Sequence, residues 1–119
     1  MSTKYNKITP SILKNLQGII GEQYVLFDAE SLKNYGHDET EDLVFLPEVV
    51  VKPRTAKEIS EILKLANLEL IPVTPRGAGT GLSGGALPIH SGIILSMERF
   101  NQILQIDERN LQATVEPGV

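Results

Sequence analysis

A run of eleven residues from Pro75 to Gly85 contains five of the ten glycines in this chain and strongly constrains how the backbone can fold. Because glycine lacks a Cβ atom, this run can adopt positive φ and can bring the main chain close to another group. Successive N–H groups in such a segment can converge on an anion. Thr80 and Ser83 add hydroxyl donors, and Arg76 adds a guanidinium that suits phosphate. The run predicts a loop that binds a phosphate-bearing cofactor, and the alternative is a tight connection in which the glycines only permit close packing.

The residues before this glycine-rich loop predict a β-α-β unit. Val49 to Val51 form a β-branched run, and Ile71 to Thr74 form a second short strand whose neighbouring prolines favour a sheet edge. Between the two strands, Thr55 and Glu58 have the spacing of a capping box. The helix that they begin should end near Asn67, with an apolar face made of Ile59, Ile62, Leu63 and Ala66. The two strands should therefore be parallel and joined by a right-handed crossover.

Two helices and three strands are predicted outside that unit. Thr9 and Pro10 have the pattern of an N-cap and first helical residue, so a helix should run from there to Gly21. A short helix is expected near Ser31 to Tyr35, and an apolar strand at Ile93 to Met97. The segments Ile103 to Ile106 and Leu111 to Val115 predict an antiparallel hairpin. In the second segment Leu111, Ala113 and Val115 alternate with polar residues, which predicts a half-buried strand with these three on its apolar face.

The composition excludes several classes of protein. At 119 residues with 41% hydrophobic content and no Trp, the chain forms one modest domain with an aliphatic core, or a piece of a longer protein. A net charge of −4 argues against a nucleic-acid partner, and zero cysteines exclude disulfides and thiol catalysis. No apolar run reaches the roughly 18 residues of a transmembrane segment, and no signal peptide is evident. A cytoplasmic protein is expected, and its full-length form could still associate peripherally with a membrane.

Other motifs in the chain give weaker functional indications. Gly79 to Gly84 match the dinucleotide pattern G-x-G-x-x-G, but Pro88 follows where that fingerprint requires a helix. No Lys followed by Ser or Thr comes after the glycines, which excludes a Walker A loop. His37 and His90 are isolated and favour surface roles over metal binding. The cluster Asp38, Glu39, Glu41 and Asp42 favours a solvated turn over a cation site. No metal site and no catalytic residue are therefore predicted.

Three segments in this order resemble a known family: Leu46 to Arg54, Pro75 to Gly85, and Glu116 to Val119. They resemble the start of the PCMH-type FAD-binding domain of the vanillyl-alcohol oxidase family. Within it, they are most similar to the branch of glycolate oxidase and D-lactate dehydrogenase, flavoenzymes that oxidise 2-hydroxy acids. The resemblance implies an α+β fold, with the β-α-β unit plus antiparallel strands forming the first subdomain. Residues 1–34 would be an N-terminal helical segment and residues 35–119 the first part of the FAD-binding domain, with a second subdomain and a cap domain expected beyond them.

The resemblance also implies where FAD is held. Its pyrophosphate would lie on the glycine-rich loop, and the Pro-Gly turn after the last strand would lie near the flavin. The cofactor-binding residues carried over in this way are Pro75, Arg76, Gly77, Ala78, Gly79, Thr80, Gly81, Leu82, Ser83, Gly84, Pro117, Gly118 and Val119. Some relatives attach FAD through a histidine of this loop, and Thr80 occupies the equivalent position here, so non-covalent FAD is implied.

Three functional hypotheses follow from these patterns. In the first, the chain is a fragment of a FAD-dependent dehydrogenase or oxidase whose full-length form acts on a small 2-hydroxy acid such as glycolate or D-lactate. The fragment alone would be inactive, and its exposed faces could cause self-association. In the second, the chain is a stand-alone, non-catalytic nucleotide- or phosphate-binding module. In the third, the chain is a purely structural domain in which the glycine-rich loop only packs.

Overall fold

The computed structural model describes residues 5–36, 45–77 and 90–117 of the chain. Within these ranges it contains helices and strands in an α+β arrangement, with one short 3-10 turn at Glu22–Tyr24. The helices are α1 (Pro10–Ile20), α2 (Ala29–Tyr35) and α3 (Ala56–Glu69). The strands are β1 (Val25–Leu26), β2 (Val49–Val51), β3 (Val73–Arg76), β4 (Ile93–Ser96), β5 (Ile103–Asp107) and β6 (Gln112–Val115).

The first four strands form one mixed sheet in the order β1-β2-β4-β3. Strands β2, β4 and β3 are parallel, and β1 pairs antiparallel with β2. The predicted parallel relation between the two strands of the β-α-β unit is therefore confirmed, and β3 lies at a sheet edge as its prolines indicated. Strand β4 lies between β2 and β3, which the local pattern did not predict. Its buried run from Ile93 to Leu95 is typical of a central strand in a parallel sheet.

Both long helices begin at the caps that the sequence predicts. The Thr9 hydroxyl accepts a hydrogen bond from the Ile12 amide at 3.2 Å, with Pro10 at the first helical position. In α3 the Thr55 hydroxyl accepts from the Glu58 amide at 3.1 Å, and the Glu58 carboxylate accepts from the Thr55 amide at 3.2 Å. The capping box is thus confirmed, and α3 ends at Glu69, two residues beyond the predicted end.

One core joins α1 and α3 to a single face of the sheet. Leu16 from α1, Ile62 from α3, and Val49 and Ile93 from the sheet are all fully buried in it. Val51 and Leu95, which share the parity of Val49 and Ile93 along their strands, belong to the same core. The intervening Val50 and Ile94 are also fully buried but lie on the opposite face of the sheet, and α2 contacts β2.

Two burial predictions are wrong. Leu63 was expected on the buried face of α3, yet its side chain is 44% exposed because the face that contacts the sheet is centred on Ile62 and Ala66. In the hairpin, Leu111 lies in the turn with φ 54° and is 92% exposed, and β6 is exposed throughout. The antiparallel pairing of β5 and β6 is confirmed, but within the described residues neither strand is buried, so their alternation alone was not sufficient to predict burial.

Candidate cofactor-binding site

The carboxyl ends of three parallel strands meet at one edge of the sheet. Strand β2 ends at Val51, β4 at Ser96 and β3 at Arg76, and the Arg76 carbonyl accepts a hydrogen bond from the Met97 amide at 2.8 Å. Ligands of open parallel sheets commonly bind at this edge, outside the carboxyl ends of the strands. The glycine-rich loop begins here, since Gly77 directly follows β3.

Gly77 lies against the turn that follows β6. A Cβ atom built on Gly77 would lie 3.3 Å from the Pro117 carbonyl oxygen, which is a tight contact. Gly77 and Pro117 are both exposed, so the point where the two segments meet is open to solvent. Two segments that are forty residues apart in the sequence, and that were both predicted to bind the cofactor, therefore come together at the sheet edge.

Glu116 fixes the start of that turn. Its carboxylate accepts a hydrogen bond from the Gln102 amide at 3.0 Å and lies 3.6 Å from the Arg54 guanidinium. Its amide donates to the Gln102 carbonyl at 2.9 Å. Because Arg54 follows β2 and Glu116 follows β6, this ion pair links the hairpin to the carboxyl edge of the mixed sheet.

Arg76 lies on the sheet face that is opposite α1 and α3. It is in register with Ser96, which lies on the opposite face of β4 from the core residues Ile93 and Leu95. The Cζ atom of Arg76 lies 5.5 Å from the centroid of the Tyr35 ring, within cation–π range. The carboxyl end of α2 thus supplies an aromatic face for the cation at the start of the glycine-rich loop.

Tyr35 also belongs to a cluster of polar side chains. Sequence reasoning did not identify this cluster. The Tyr35 hydroxyl donates to the Glu98 carboxylate, which also accepts from the Ser96 hydroxyl at 2.9 Å. The Lys52 ammonium lies 3.5 Å from the Glu98 carboxylate and 5.6 Å from the Tyr35 ring centroid. We define the polar cluster as Tyr35, Lys52, Ser96 and Glu98. Its members come from α2 and the residues at the ends of β2 and β4, so only the sheet order brings them together.

The ionisation of the polar cluster follows from its contacts. Burial raises the pKa of the Tyr35 phenol, and the hydrogen bond to Glu98 raises it further. Burial alone would raise the pKa of Glu98, but hydrogen bonds from Tyr35 and Ser96 and the charge of Lys52 lower it overall. Burial likewise opposes the charge of Lys52, yet its contacts with Tyr35 and Glu98 raise its pKa. A neutral phenol beside a charged carboxylate and a charged ammonium is therefore favoured near neutral pH.

The structure describes four of the thirteen predicted cofactor-binding residues. Pro75 and Arg76 lie in β3, Gly77 follows them, and Pro117 lies against Gly77. Ala78, Gly79, Thr80, Gly81, Leu82, Ser83, Gly84, Gly118 and Val119 lie outside the described residues, as do Pro88, His37 and the acidic cluster at Asp38, Glu39, Glu41 and Asp42. The role of each predicted residue in cofactor binding stays a prediction.

His90 is exposed, and its ring lies 5.3 Å from the ring of Tyr5. Among the described residues, no group of three or more His, Asp or Glu side chains could hold a metal ion. Within the same ranges, no helix is long and apolar enough to cross a membrane.

The residues at this edge fit a diphosphate group in two respects. Arg76 supplies a guanidinium, whose fork of N–H donors matches phosphate oxygens. At Gly77 the backbone is exposed and carries no side chain, so an anion can approach the main chain closely. Both features lie where the glycine-rich loop leaves the sheet.

Comparison with known proteins gives a family match over most of the chain. The model of a family described as "FAD binding domain" matches residues 47–119. The glycolate oxidase protein GlcD from Bacillus subtilis is 46% identical over 85 residues, which are 71% of this chain and 18% of that protein. D-lactate dehydrogenase from Anaerostipes hadrus is 36% identical over 119 residues, covering 98% of this chain and 24% of that protein. The chain spans about a fifth of the length of these curated relatives.

A solved structure shares the fold. Crystalline p-cresol methylhydroxylase with substrate bound superposes with a TM-score of 0.78 at 26% sequence identity. The match covers 90% of this chain and 22% of that one. It supports the mixed sheet and the antiparallel hairpin as the arrangement of the N-terminal part of a PCMH-type FAD-binding domain.

Proposed function

This chain belongs to the FAD-binding domain family whose model matches residues 47–119, and from that membership we propose that it is the first part of a FAD-dependent enzyme that oxidises a 2-hydroxy acid. The full-length enzyme would be a dehydrogenase or oxidase of glycolate, D-lactate or a related acid. The names of the two curated relatives contain glycolate and D-lactate, and both acids carry a hydroxyl on the carbon next to the carboxylate. That shared chemistry supports the substrate class.

The single observation that carries the placement of the cofactor is the contact between Gly77 and Pro117. Of the predicted binding segments, one leaves the sheet at Gly77 and the other begins at Pro117, and their backbones approach each other where the parallel strands end. We place the FAD pyrophosphate at this junction, with Arg76 opposing its charge and backbone N–H groups of the glycine-rich loop donating to its oxygens. FAD, when bound, supplies the electron acceptor for oxidation of the substrate alcohol. No catalytic residue is assigned within this chain.

The first experiment is the absorption spectrum of the full-length protein that carries this sequence. A flavin spectrum is expected, and after acid denaturation the flavin should stay in the supernatant, because Thr80 cannot form the covalent link that a histidine can. A pelleted flavin would contradict non-covalent binding. A colourless protein that cannot be reconstituted with FAD would contradict the proposed function, and binding of other nucleotides instead would favour the non-catalytic module.

Gly77→Ala tests the placement of the pyrophosphate. The added methyl would meet the Pro117 carbonyl oxygen at 3.3 Å, so the turn must shift by a few tenths of an ångström. We expect weaker FAD binding in a titration of the apoprotein. Gly18→Ala is the matched control, because nothing lies within 4 Å of its added Cβ and it belongs to α1, away from the sheet edge. Equal FAD affinity in both variants would contradict this placement.

A phenolic substrate is the second candidate, since one protein with a matching solved structure is p-cresol methylhydroxylase. The higher identities of 46% and 36% favour the hydroxy acids over the phenol at 26%. Anaerobic reduction of the bound flavin would decide between them. We expect glycolate or D-lactate to bleach the flavin and p-cresol to leave it unchanged. Bleaching by p-cresol alone would favour the phenolic substrate over the hydroxy acids.

A further inference from the structure

The backbone of Arg76 is fixed, but its side chain is long and has many rotamers. The residue pairs with Ser96 in the sheet, and its carbonyl is bonded to the Met97 amide. An arginine side chain loses about 2 kcal/mol of conformational freedom when it is held in one orientation. A contact that orients the guanidinium in the absence of the ligand would therefore make anion binding more favourable.

The Tyr35 ring is in position to orient this guanidinium. Its centroid lies 5.5 Å from the Arg76 Cζ atom, and its hydroxyl is bonded to the Glu98 carboxylate. Glu98 is itself held by the Ser96 hydroxyl at 2.9 Å and by Lys52 at 3.5 Å. The ring is thus held at its hydroxyl end by a carboxylate that has two further partners.

The charges around the ring also fit this role. Lys52 and Arg76 each lie within 6 Å of the same ring centroid, and the carboxylate of Glu98 pairs with Lys52. The pairing with Glu98 therefore offsets the charge of Lys52, the other cation that lies near this ring.

We propose that Tyr35 is a positioning residue for the cofactor site: its ring holds the Arg76 guanidinium at the start of the glycine-rich loop, and Glu98 fixes the ring. This inference rests on the proposed function, in which Arg76 opposes the FAD pyrophosphate. Tyr35 does not itself contact FAD. Its effect is transmitted through Arg76, so removing Arg76 should also remove the effect of Tyr35.

The test is a double-mutant cycle on the full-length apoprotein, with the FAD dissociation constant measured by fluorescence titration. Tyr35→Leu should raise the constant about threefold to thirtyfold, the range that corresponds to one cation–π contact. Tyr35→Phe keeps the ring and should recover most of the affinity. In the Arg76→Ala background, Tyr35→Leu should have no further effect.

Tyr5→Leu is the matched control for loss of a tyrosine. Tyr5 is 45% exposed, and its ring lies 5.3 Å from the tilted ring of His90, near the amino end of β4 and thus away from the carboxyl ends of the strands. The Tyr5→Leu protein should bind FAD with the same affinity as wild type. The thermal midpoint of each apoprotein shows whether a variant is folded. If Tyr35→Leu is not folded, Tyr35→Phe provides a second comparison.

The outcomes separate the inference from the proposed function. If wild type binds FAD but Tyr35→Leu binds it equally well, or if the two substitutions are additive, the positioning role of Tyr35 is overturned alone. If Arg76→Ala leaves FAD affinity unchanged, the role assigned to Arg76 fails and the positioning role fails with it. If wild type does not bind FAD, the proposed function itself is wrong.

Discussion

A single methyl group added at Gly92 should destabilise the sheet strongly. Gly92 precedes β4 and has φ 72°, in the left-handed region that side chains disfavour. A Cβ atom there would lie 2.4 Å from the Pro72 carbonyl oxygen and 2.6 Å from a carbon of the Pro72 ring. Neither partner can move easily, because the Pro72 carbonyl accepts the Ile93 amide at 2.9 Å and the ring is rigid.

The expected loss for Gly92→Ala has two parts. The left-handed conformation costs an alanine about 1–2 kcal/mol. Steric overlap in a packed region typically adds about 1–3 kcal/mol. The free energy of unfolding should therefore fall by about 2–5 kcal/mol, a large part of the roughly 5–15 kcal/mol that stabilises a typical domain. Gly18→Ala should instead stabilise by about 0.5–1 kcal/mol, because alanine is preferred in a helix and its Cβ meets open space.

Urea denaturation followed by circular dichroism measures both variants against wild type. Hydrogen exchange adds a local readout, because the Glu48 amide donates to the Gly92 carbonyl at 2.8 Å and the Ile93 amide donates to Pro72. Both amides should exchange faster in Gly92→Ala. A Gly92→Ala protein with the urea midpoint of wild type would refute the reasoning, since it would mean that β3 and β4 do not meet at this junction.

Three further predictions concern the core, a helix cap and pH. Leu16→Ala should lower the free energy of unfolding by about 2–5 kcal/mol in urea denaturation, because this fully buried side chain joins α1 to the sheet, whereas Leu68→Ala, 78% exposed, should have little effect. Thr55→Ala should cost about 1 kcal/mol by thermal denaturation through loss of the capping box, while the exposed Ser60→Ala on the same helix should change stability far less. The pKa of Glu98 is lowered in the folded protein, so its contribution to stability is present above the ordinary carboxyl value of 4.5 and is lost as pH falls through the lowered pKa. Glu98→Gln should therefore flatten the acid side of a plot of unfolding free energy against pH. An unchanged acid side would contradict this prediction.

The helix caps could be predicted from the sequence because each depends on residues within one turn. Thr9 with Pro10, and Thr55 with Glu58, satisfy amides three residues away, so their geometry requires no distant partner. The edge position of β3 was predictable for a similar reason. Proline lacks an amide hydrogen, and this property excludes it from the interior of a ladder in any fold.

The burial of the hairpin was not predictable in the same way. The alternation in residues 111–115 indicates a strand with one apolar face, but burial requires another layer against that face. Val115 is 45% exposed and Leu111 is 92% exposed. Local sequence therefore specified the pairing of β5 with β6, while the burial of its side chains depends on surfaces that are remote in sequence.

The sequence by itself determined the helix caps, most of the helices and strands, and the family, but it did not predict β1. These features depend on residue type and short spacing, which act locally. Only the tertiary structure decided that β4 lies between β2 and β3, and the polar cluster depends on that order. Because the three strands are parallel, their carboxyl ends share one edge, where Tyr35 meets Arg76 and Gly77 meets Pro117. Such contacts join positions about forty residues apart, and no local propensity encodes them.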